Sequence, residues 1–237
     1  MIPLISPDQP FPNPRPALRH NDGLVCVTEE LTPKQLLAAY PQGIFPWHCD
    51  EDYVYWFSVA PRAVLLPAAL HLSRSLKKSM QNKVYRVAVN QNFAQVIAEC
   101  AAKPRPEQHG TWIAPEFQAA YTALHQLGHA HSFEFYNQNN ELAGGLYGVQ
   151  IGSVFFGESM FAHEADASKI AFAHAVPFLA QCGVEMIDCQ QDSEHLRRFG
   201  SQLLNFDHFQ AALHVLTERP LAQNMGSQII VDNFQVA

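Results

Sequence analysis

The stretch HSFEFYNQNNELAGGLYGVQIGSVFFGESMFAHEADASKIAFAHAVPFLAQCGVEMIDCQ, residues 131–190, decides the fold. Its first half holds three strand-like runs separated by two turns, which predicts a β-meander. The run that follows predicts a long helix, capped by Asp166 or Ser168 and ended by Gly183. Pro177 lies inside this helix and is expected to kink or split it. The segment VEMIDCQ then predicts one more, buried strand.

On either side of this stretch, helical and strand-like segments alternate. Helices are predicted for HLSRSLKKSMQ (71–81), FAQVIAECAAK (93–103), PEFQAAYTALHQLGH (115–129) and NFDHFQAALHVLTERP (205–220), and a strand for VYRVAVN (84–90). Asp207 is the expected cap of the last helix. Nearer the N-terminus, Thr32 and Pro33 predict the start of a short helix. Two strand-like runs then flank Ala60-Pro61.

The order of these elements predicts an α/β (α+β) chain with a mixed, mainly antiparallel sheet flanked by helices. We place a domain boundary near residue 60, which gives a small N-terminal domain (1–60) and a larger domain (61–237). A meander that leads into a long helix and one more strand is also the order found in GNAT-type acyltransferases. The larger domain is therefore expected to be GNAT-like.

Composition narrows the class of protein. The chain has 237 residues, of which 48% are hydrophobic, enough for a sizeable core. It has no apolar run of the roughly 18 residues that suggest a membrane span, and no secretory signal is recognisable, so no membrane association is expected. The five cysteines include no Cys-x-x-Cys pair, which favours reduced thiols in the cytoplasm over a disulfide framework or a structural zinc site.

One segment differs in charge from the rest of this acidic chain, whose net charge is −7. No acidic residue occurs between Asp52 and Glu99. The basic residues of that segment are Arg62, Arg74, Lys77, Lys78, Lys83 and Arg86. A local basic surface on an acidic protein is typical of a phosphate-binding face. Chance clustering of solvated charges is the alternative, and charge alone leaves both open.

Polar residues also occur where a core element is normally apolar. Glu158 follows Gly157 directly after an aromatic strand, and Asp188 and Gln190 lie two residues apart in a predicted strand. Two positions apart on a regular strand, both side chains face the same side. Buried polar groups need partners, and a substrate is one candidate. A hydrogen-bonded structural network is the other.

Several motifs, in order, are similar to those of the leucyl/phenylalanyl-tRNA–protein transferases. They are GIFPW (43–47), APRAVL (60–65), HLSRSLKK (71–78), GTWI (110–113), LHQLGHAHSFE (124–134), FGESMF (156–161) and IDCQ (187–190). The resemblance runs from about residue 11 to about residue 216. The chain departs from the family pattern at Thr28-Glu29-Glu30 and in WFSVAPR, both in the N-terminal part.

The resemblance implies a role for each matching residue. Glu158, Asp188 and Gln190 are assigned to the reacting centre. The apolar aminoacyl pocket and adenosine platform comprise Trp47, Trp112, Tyr121, Phe155, Gly157 and Met160, together with Leu146 in a place where the family often has methionine. The basic segment, from Arg62 to Arg86, becomes the tRNA contact. Neither a cofactor nor a metal is implied.

The implied activity is transfer of Leu or Phe, and to a lesser extent Met, from aminoacyl-tRNA to the α-amine of proteins that begin with Arg or Lys, which marks them for N-end-rule degradation. The chemistry needs no covalent nucleophile, because the donor ester is already activated and positioning supplies most of the acceleration. Asp188 can take or orient the amine proton. Gln190 is no base, so it is expected to hydrogen-bond the carbonyl or fix Asp188. Glu158 either holds the cationic acceptor side chain or positions the donor amine.

Two other enzyme classes fit the sequence less well. A zinc hydrolase is suggested by His125, His129 and His131, but Gln126 stands where the catalytic glutamate is required and Gly128 predicts that the helix ends before the second histidine. A cysteine hydrolase built on Cys189 and His195 lacks oxyanion glycines.

Two further alternatives are an acetyl-CoA transferase and an RNA-binding module. An acetyl-CoA transferase binds pyrophosphate through the motif Arg/Gln-x-x-Gly-x-Gly/Ala. The run from Arg197 to Gln202 has the required Gly200, but Gln202 stands at the last position, where the motif needs Gly or Ala. The second would use Trp47, Trp56 and Trp112 for base stacking. An RNA-binding module does not explain the polar residues Glu158, Asp188 and Gln190.

Overall fold

A computed structural model describes residues 2–102 and 113–234. Its helices are α1 (Ala17–His20), α2 (Pro33–Ala39), α3 (Arg74–Asn82), α4 (Phe93–Ala102), α5 (Pro115–Gln126), α6 (Ala167–Cys182), α7 (Glu194–Arg198) and α8 (Phe206–Leu216). Its strands are β1 (Leu24–Thr28), β2 (Phe45–Cys49), β3 (Val54–Phe57), β4 (Arg62–Leu65), β5 (Arg86–Val89), β6 (Ala130–Tyr136), β7 (Leu142–Ile151), β8 (Val154–Ala162), β9 (Met186–Gln190), β10 (Gln202–Leu204) and β11 (Gln228–Asp232). Short 3₁₀ turns span Tyr40–Gln42 and Pro67–Ala69.

These strands form two sheets. The small sheet has the order β1-β3-β2, and the large one β10-β4-β9-β8-β7-β6-β5-β11. Every neighbouring pair is antiparallel except β8 and β9, which run parallel. The prediction of a mixed, mainly antiparallel sheet flanked by helices is therefore confirmed. The domain boundary near residue 60 and the GNAT-like topology stay predictions.

The central stretch folds as its pattern predicts. β6, β7 and β8 form the meander, and α6 connects β8 to β9. Gly183 ends α6 in the left-handed conformation, with φ of 102°. The helix is not split at Pro177, because it continues unbroken to Cys182. A side chain on Gly144 would put its Cβ 2.6 Å from the Cβ of Ala167, so this glycine lets the start of α6 pack closely on the sheet.

Helices cover both faces of the large sheet. On one face α6 packs against β6, β7 and β8, and Leu76 of α3 joins the same buried cluster. On the other face α4 packs against the same strands and α5 packs against β6 and α4, and residues of the small sheet belong to the same buried cluster. Residues of α2 and of the turn after it belong to this second cluster, which places Tyr40 in the core beside the large sheet.

Local signals explain several helix ends. The Thr32 side chain accepts a hydrogen bond from the N–H of Gln35, whose own side chain bonds back, so the predicted start of α2 is confirmed. The cap of α8 is Asn205 and not Asp207, because the Asn205 side chain accepts from the N–H of His208. The elements that were not predicted are α1, β1, β2, α7, β10 and β11; each has five residues or fewer, which is too short to show a clear period. In residues 2–102 and 113–234, no helix combines the length and apolar character needed to cross a bilayer.

Candidate active site

A cavity of about 620 Å³ opens where the two parallel strands separate. β8 and β9 are paired only from Val154–Met186 to Phe156–Asp188. Beyond that point the chains diverge, and residues of both line the cavity. Its apolar wall consists of Phe45, Pro46, Trp47, Leu146, Phe155, Met160, Phe172 and Ile187. Its polar wall consists of Glu158, Gln190, Gln191, Asp192, Ser193 and His195.

Backbone irregularities aim the polar side chains into this opening. Tyr147 pairs with Ser159 and Gly148 pairs with Gly157, so Glu158 is the extra residue of a β-bulge. Gly148 is required there, because a Cβ on it would lie 2.3 Å from the carbonyl oxygen of Phe156. Bulges re-aim side chains and are frequent beside active sites. The bulge thus turns Glu158 toward the cavity.

Glu158 receives three hydrogen bonds. Its Oε1 accepts from the hydroxyl of Tyr40 at 2.7 Å and from Nε2 of Gln190 at 3.2 Å. Its Oε2 accepts from the hydroxyl of Tyr121 at 2.9 Å. Burial raises the pKa of Glu158 to about 7, although the phenol hydrogen bonds oppose this shift. A carboxyl group poised near neutrality in a cavity is suited to proton exchange.

Asp188 is bound by Arg62 instead of facing the cavity. Nε and Nη2 of Arg62 donate to Oδ1 and Oδ2 of Asp188 at 2.9 and 2.7 Å, and neither side chain is exposed. The guanidinium also lies between the rings of Phe45 and Phe209, 4.8 and 4.9 Å from their centroids. The pair is therefore a buried, charge-neutral unit directly behind the cavity wall.

Gln190 connects these two groups. Its backbone N–H donates to Oδ1 of Asp188 at 2.9 Å, and its side-chain amide donates to Glu158. Its φ of 60° is left-handed, and Cys189 is an extra residue in the pairing of β9 with β4. The simple alternation expected for a regular strand thus fails at this end of β9. Asp188 fixes the backbone that presents the Gln190 amide to the cavity.

The structure brings together most of the predicted pocket residues. Those that line the cavity are Trp47, Leu146, Phe155, Gly157 and Met160. Tyr121 lies behind the wall, fully buried, where it binds Glu158. Trp112 lies outside the described residues. Tyr40 and Phe172 were not predicted, because nothing in the periodicity of α2 or α6 distinguishes them from ordinary core residues.

The predicted group of six cations is divided by the structure. Arg74, Lys77 and Lys78 are exposed on α3. Lys83 donates to the carbonyl of Ala165, and Arg86 hydrogen-bonds Asn140.

Arg62 is not a surface cation, which corrects the prediction that it belongs to the basic face. It lies in a strand whose four residues are all buried, and its charge is balanced by Asp188.

The alternative chemistries find no assembled site. The helix α5 ends at Gln126, so His125 and His129 do not share a helical face, as Gly128 predicts. Within residues 2–102 and 113–234, no group of three or more His, Cys, Asp or Glu side chains is placed to hold a metal ion. Burial raises the pKa of the Cys189 thiol to about 12, which keeps it protonated and a poor nucleophile.

Comparison with known proteins gives a consistent answer. The family described as leucyl/phenylalanyl-tRNA protein transferase matches residues 64–214, and its N-terminal domain matches residues 29–59. A leucyl/phenylalanyl-tRNA–protein transferase of Neisseria meningitidis serogroup C is 56% identical over 235 residues, which cover 97% of this chain and 98% of the relative. The corresponding protein of Chromobacterium violaceum is 47% identical over 225 residues, 95% of this chain and 96% of the relative.

Solved structures are more distant. That of L-PGS from Bacillus licheniformis has a TM-score of 0.39 and 9% identity, covering 70% of this chain and 52% of that one. The sequence matches, in contrast, span both sheets and every residue around the cavity. The chain belongs to the leucyl/phenylalanyl-tRNA protein transferase family.

Proposed function

We propose that this chain transfers Leu or Phe, and less readily Met, from aminoacyl-tRNA to the α-amine of proteins that begin with Arg or Lys. The product is a peptide bond, and the new N-terminal residue marks the protein for N-end-rule degradation. Because charged tRNA is the donor, the proposed place of action is the cytoplasm. The observation that carries the proposal is a cavity, lined both by apolar residues and by the carboxyl groups of Glu158 and Asp192, where two parallel strands separate.

The apolar wall suits the side chain of the donor amino acid. Leu146, Phe155 and Met160 are joined there by Phe172 and Ile187, without a charged group among them. Such a surface binds Leu, Phe and Met by burial of apolar area, and one methylene more or less changes its preference by roughly 10–200-fold. A charged donor side chain would lose its hydration without gaining a partner. The cavity is therefore expected to select donor side chains by their size and by their lack of polar groups.

The polar wall suits a cationic acceptor. Glu158 and Asp192 are its acidic residues, and Asp192 also accepts from Nη1 of Arg197 at 3.1 Å; among the described residues, no Lys or Arg lines the cavity. An N-terminal ammonium and a basic first side chain would both be attracted to this wall. In this arrangement the amine meets the ester carbonyl between the two walls. In this proposal Gln190 hydrogen-bonds the carbonyl oxygen as charge develops on it.

The tRNA body is proposed to contact α3. The helix presents Arg74, Lys77 and Lys78 to solvent, while Leu76 anchors its other side in the core. Within this helix the cations have no acidic neighbour, so they are available to phosphate groups. Lys83 and Arg86 are hydrogen-bonded to protein groups. We expect them to contribute to the positive electrostatic potential of this surface more than to direct contacts with phosphate groups.

The proposal is tested by a transfer assay with radiolabelled leucyl-tRNA. The acceptors are peptides that begin with Arg or Lys, and matched peptides that begin with Ala or Glu serve as controls. We expect transfer to the Arg and Lys peptides only, without added metal or coenzyme A. Acetylation of the same peptide from acetyl-CoA, with no transfer from leucyl-tRNA, would contradict the proposal.

A further inference from the structure

Three hydroxyl and carboxyl groups form a closed ring behind the cavity. Tyr40 and Tyr121 each contact one oxygen of Glu158, at 2.7 and 2.9 Å, and their hydroxyl oxygens lie 2.6 Å from each other. Both phenols are fully buried, and only Glu158 reaches the cavity. Tyr40 follows α2, Tyr121 lies on α5 and Glu158 on β8, so three distant segments supply the ring.

The ring has a definite proton requirement. Each of its three O···O contacts needs one proton to be a hydrogen bond, and the two phenols supply one each. The third must come from Glu158, so the ring is complete when this carboxyl is protonated. When Glu158 is ionised, one contact lacks a proton and the carboxylate can accept a donor from the cavity. The geometry therefore provides a place for one exchangeable proton beside the substrate.

Asp188 does not offer such a place. Its Oδ1 accepts from Nε of Arg62 and from the N–H of Gln190, and its Oδ2 accepts from Nη2 of Arg62. A proton on either oxygen would have to displace a guanidinium hydrogen bond in a site with no exposed surface. Its geometry is that of a positioning residue for Gln190.

We propose that Glu158 carries the proton of the transfer reaction and that Tyr40 and Tyr121 are positioning residues that hold this carboxyl and its proton. This inference rests on the proposed function. The α-amine attacks the ester carbonyl, which forms the C–N bond, and Glu158 takes a proton from the nitrogen. The bond from the carbonyl carbon to the ribose oxygen then breaks, and the same proton passes from Glu158 to that oxygen. Glu158 returns to its starting form, so protons and electrons balance.

The neighbouring charges act on Glu158 in opposite directions. Burial is the largest influence and raises the pKa of Glu158, Asp188 raises it further, and Arg62 lowers it. The titratable and charged groups that surround the ring are Tyr40 after α2, Tyr121 on α5, Tyr147 on β7, Asp188 on β9 and Arg62 on β4. Because Arg62 and Asp188 form a neutral pair, the phenols are the neighbours whose removal acts most directly on the proton.

The first test is the pH profile of kcat/KM in Tyr121→Phe and Tyr40→Phe. Hydrogen bonds to a carboxylate are roughly twice as strong as those to a neutral carboxyl. Loss of one phenol therefore disfavours ionised Glu158, and the acidic limb, expected near pH 7 in the wild type, should move up by about one pH unit. Tyr85→Phe is the control, because its buried hydroxyl bonds His174, away from the ring. The proposal fails if both ring variants have a lower maximal kcat/KM and a lower melting temperature while the acidic limb stays at the same pH.

The second test is Glu158→Gln, which keeps the size of the side chain and removes its titratable proton. We expect kcat to fall by roughly 10²–10⁴-fold and the limb set by Glu158 to disappear, which leaves only the limb set by the acceptor α-amine at about pH 8. Asp188→Asn should retain the limb set by Glu158. The reverse result, with the limb lost only in Asp188→Asn, overturns the proposal.

An infrared titration separates this inference from the proposed activity. A protonated carboxyl band that disappears as the pH rises through about 7, is absent in Glu158→Gln and moves in Tyr121→Phe, would report the same group without substrate. If the band shows all three properties but no transfer occurs from any aminoacyl-tRNA, the proposed function is wrong, whereas the assignment of the proton to Glu158 is retained. If transfer occurs and Glu158→Gln leaves the band unchanged, the ring does not hold the proton.

Discussion

Arg62 and Asp188 lie 126 positions apart in the chain and form a two-point ion pair, Nε to Oδ1 at 2.9 Å and Nη2 to Oδ2 at 2.7 Å, with neither side chain exposed. A buried pair of this kind contributes little net stability compared with apolar residues, yet breaking it leaves an isolated buried charge. Its value here is geometric. It fixes the carboxylate to which the backbone of Gln190 is bound.

Asp188→Asn should therefore destabilise the protein strongly. It leaves the Arg62 cation buried without a counter-charge, which costs about 3–5 kcal/mol. For a chain of this size each kcal/mol lowers the melting temperature by about 2–4 °C, so a decrease of roughly 6–20 °C is expected in a thermal melt. The double variant Arg62→Met with Asp188→Leu should recover much of this loss but not the activity. An Asp188→Asn variant that melts like the wild type would show that the buried Arg62 cation does not depend on the Asp188 carboxylate.

Leu146→Ala should change the preference among donors. Leu146 is almost fully buried at the apolar wall, and its truncation lengthens the cavity. A difference of one methylene in an apolar pocket changes selectivity by roughly 10–200-fold. We expect the ratio of kcat/KM for phenylalanyl-tRNA to that for leucyl-tRNA to rise about tenfold. Because a loss of stability affects both donors equally, the ratio is the informative measurement, and an unchanged ratio would place the donor side chain elsewhere.

Replacement of Arg74, Lys77 and Lys78 by Gln should raise the KM for charged tRNA and reduce its dependence on salt. Each lost phosphate contact lowers the slope of log K against log salt by about 0.7–0.9. A minimal aminoacyl-adenosine donor, which lacks the tRNA body, should be affected much less. Arg19→Gln, an exposed cation away from α3, is the control. Equal losses with both donors would show that α3 acts on folding and not on tRNA.

The stability of Glu134→Gln relative to that of the wild type should be greater at pH 8 than at pH 5. Burial raises the pKa of Glu134 to about 7 from 4.5, and its Oε2 has no hydrogen-bond partner among the described residues. The folded chain thus binds this proton more tightly than the unfolded chain. The resulting stability is present below about pH 4.5 and is lost as the pH rises through 7.

The readout for Glu134 is the difference in melting temperature between variant and wild type across that range. The exposed residue Glu116, changed to Gln, should show no such trend. A difference that stays constant with pH would mean that Glu134 is ionised in the folded protein throughout.

The meander, the long helix and the buried strand after it could be predicted from sequence, because hydrophobic period and turn residues act locally. The bulge at Glu158 and the left-handed Gln190 could not, since both depend on pairing between strands. Arg62 was misplaced for a related reason. A run of basic residues suggested a surface, whereas the apolar residues Ala63–Leu65 beside it were the better guide to burial.

The position of β4 has a consequence for the growing chain on the ribosome. Its partners in the sheet are β9 and β10, which are synthesised long after it. Until they emerge, β4 has no edge to join, and the Arg62 cation has no counter-charge. Contacts of such sequence separation form late and leave apolar segments open to misassociation. The candidate active site is consequently completed only near the end of translation, and a truncated product that lacks β9 and β10 would leave β4 and one edge of β8 unpaired for chaperones to recognise.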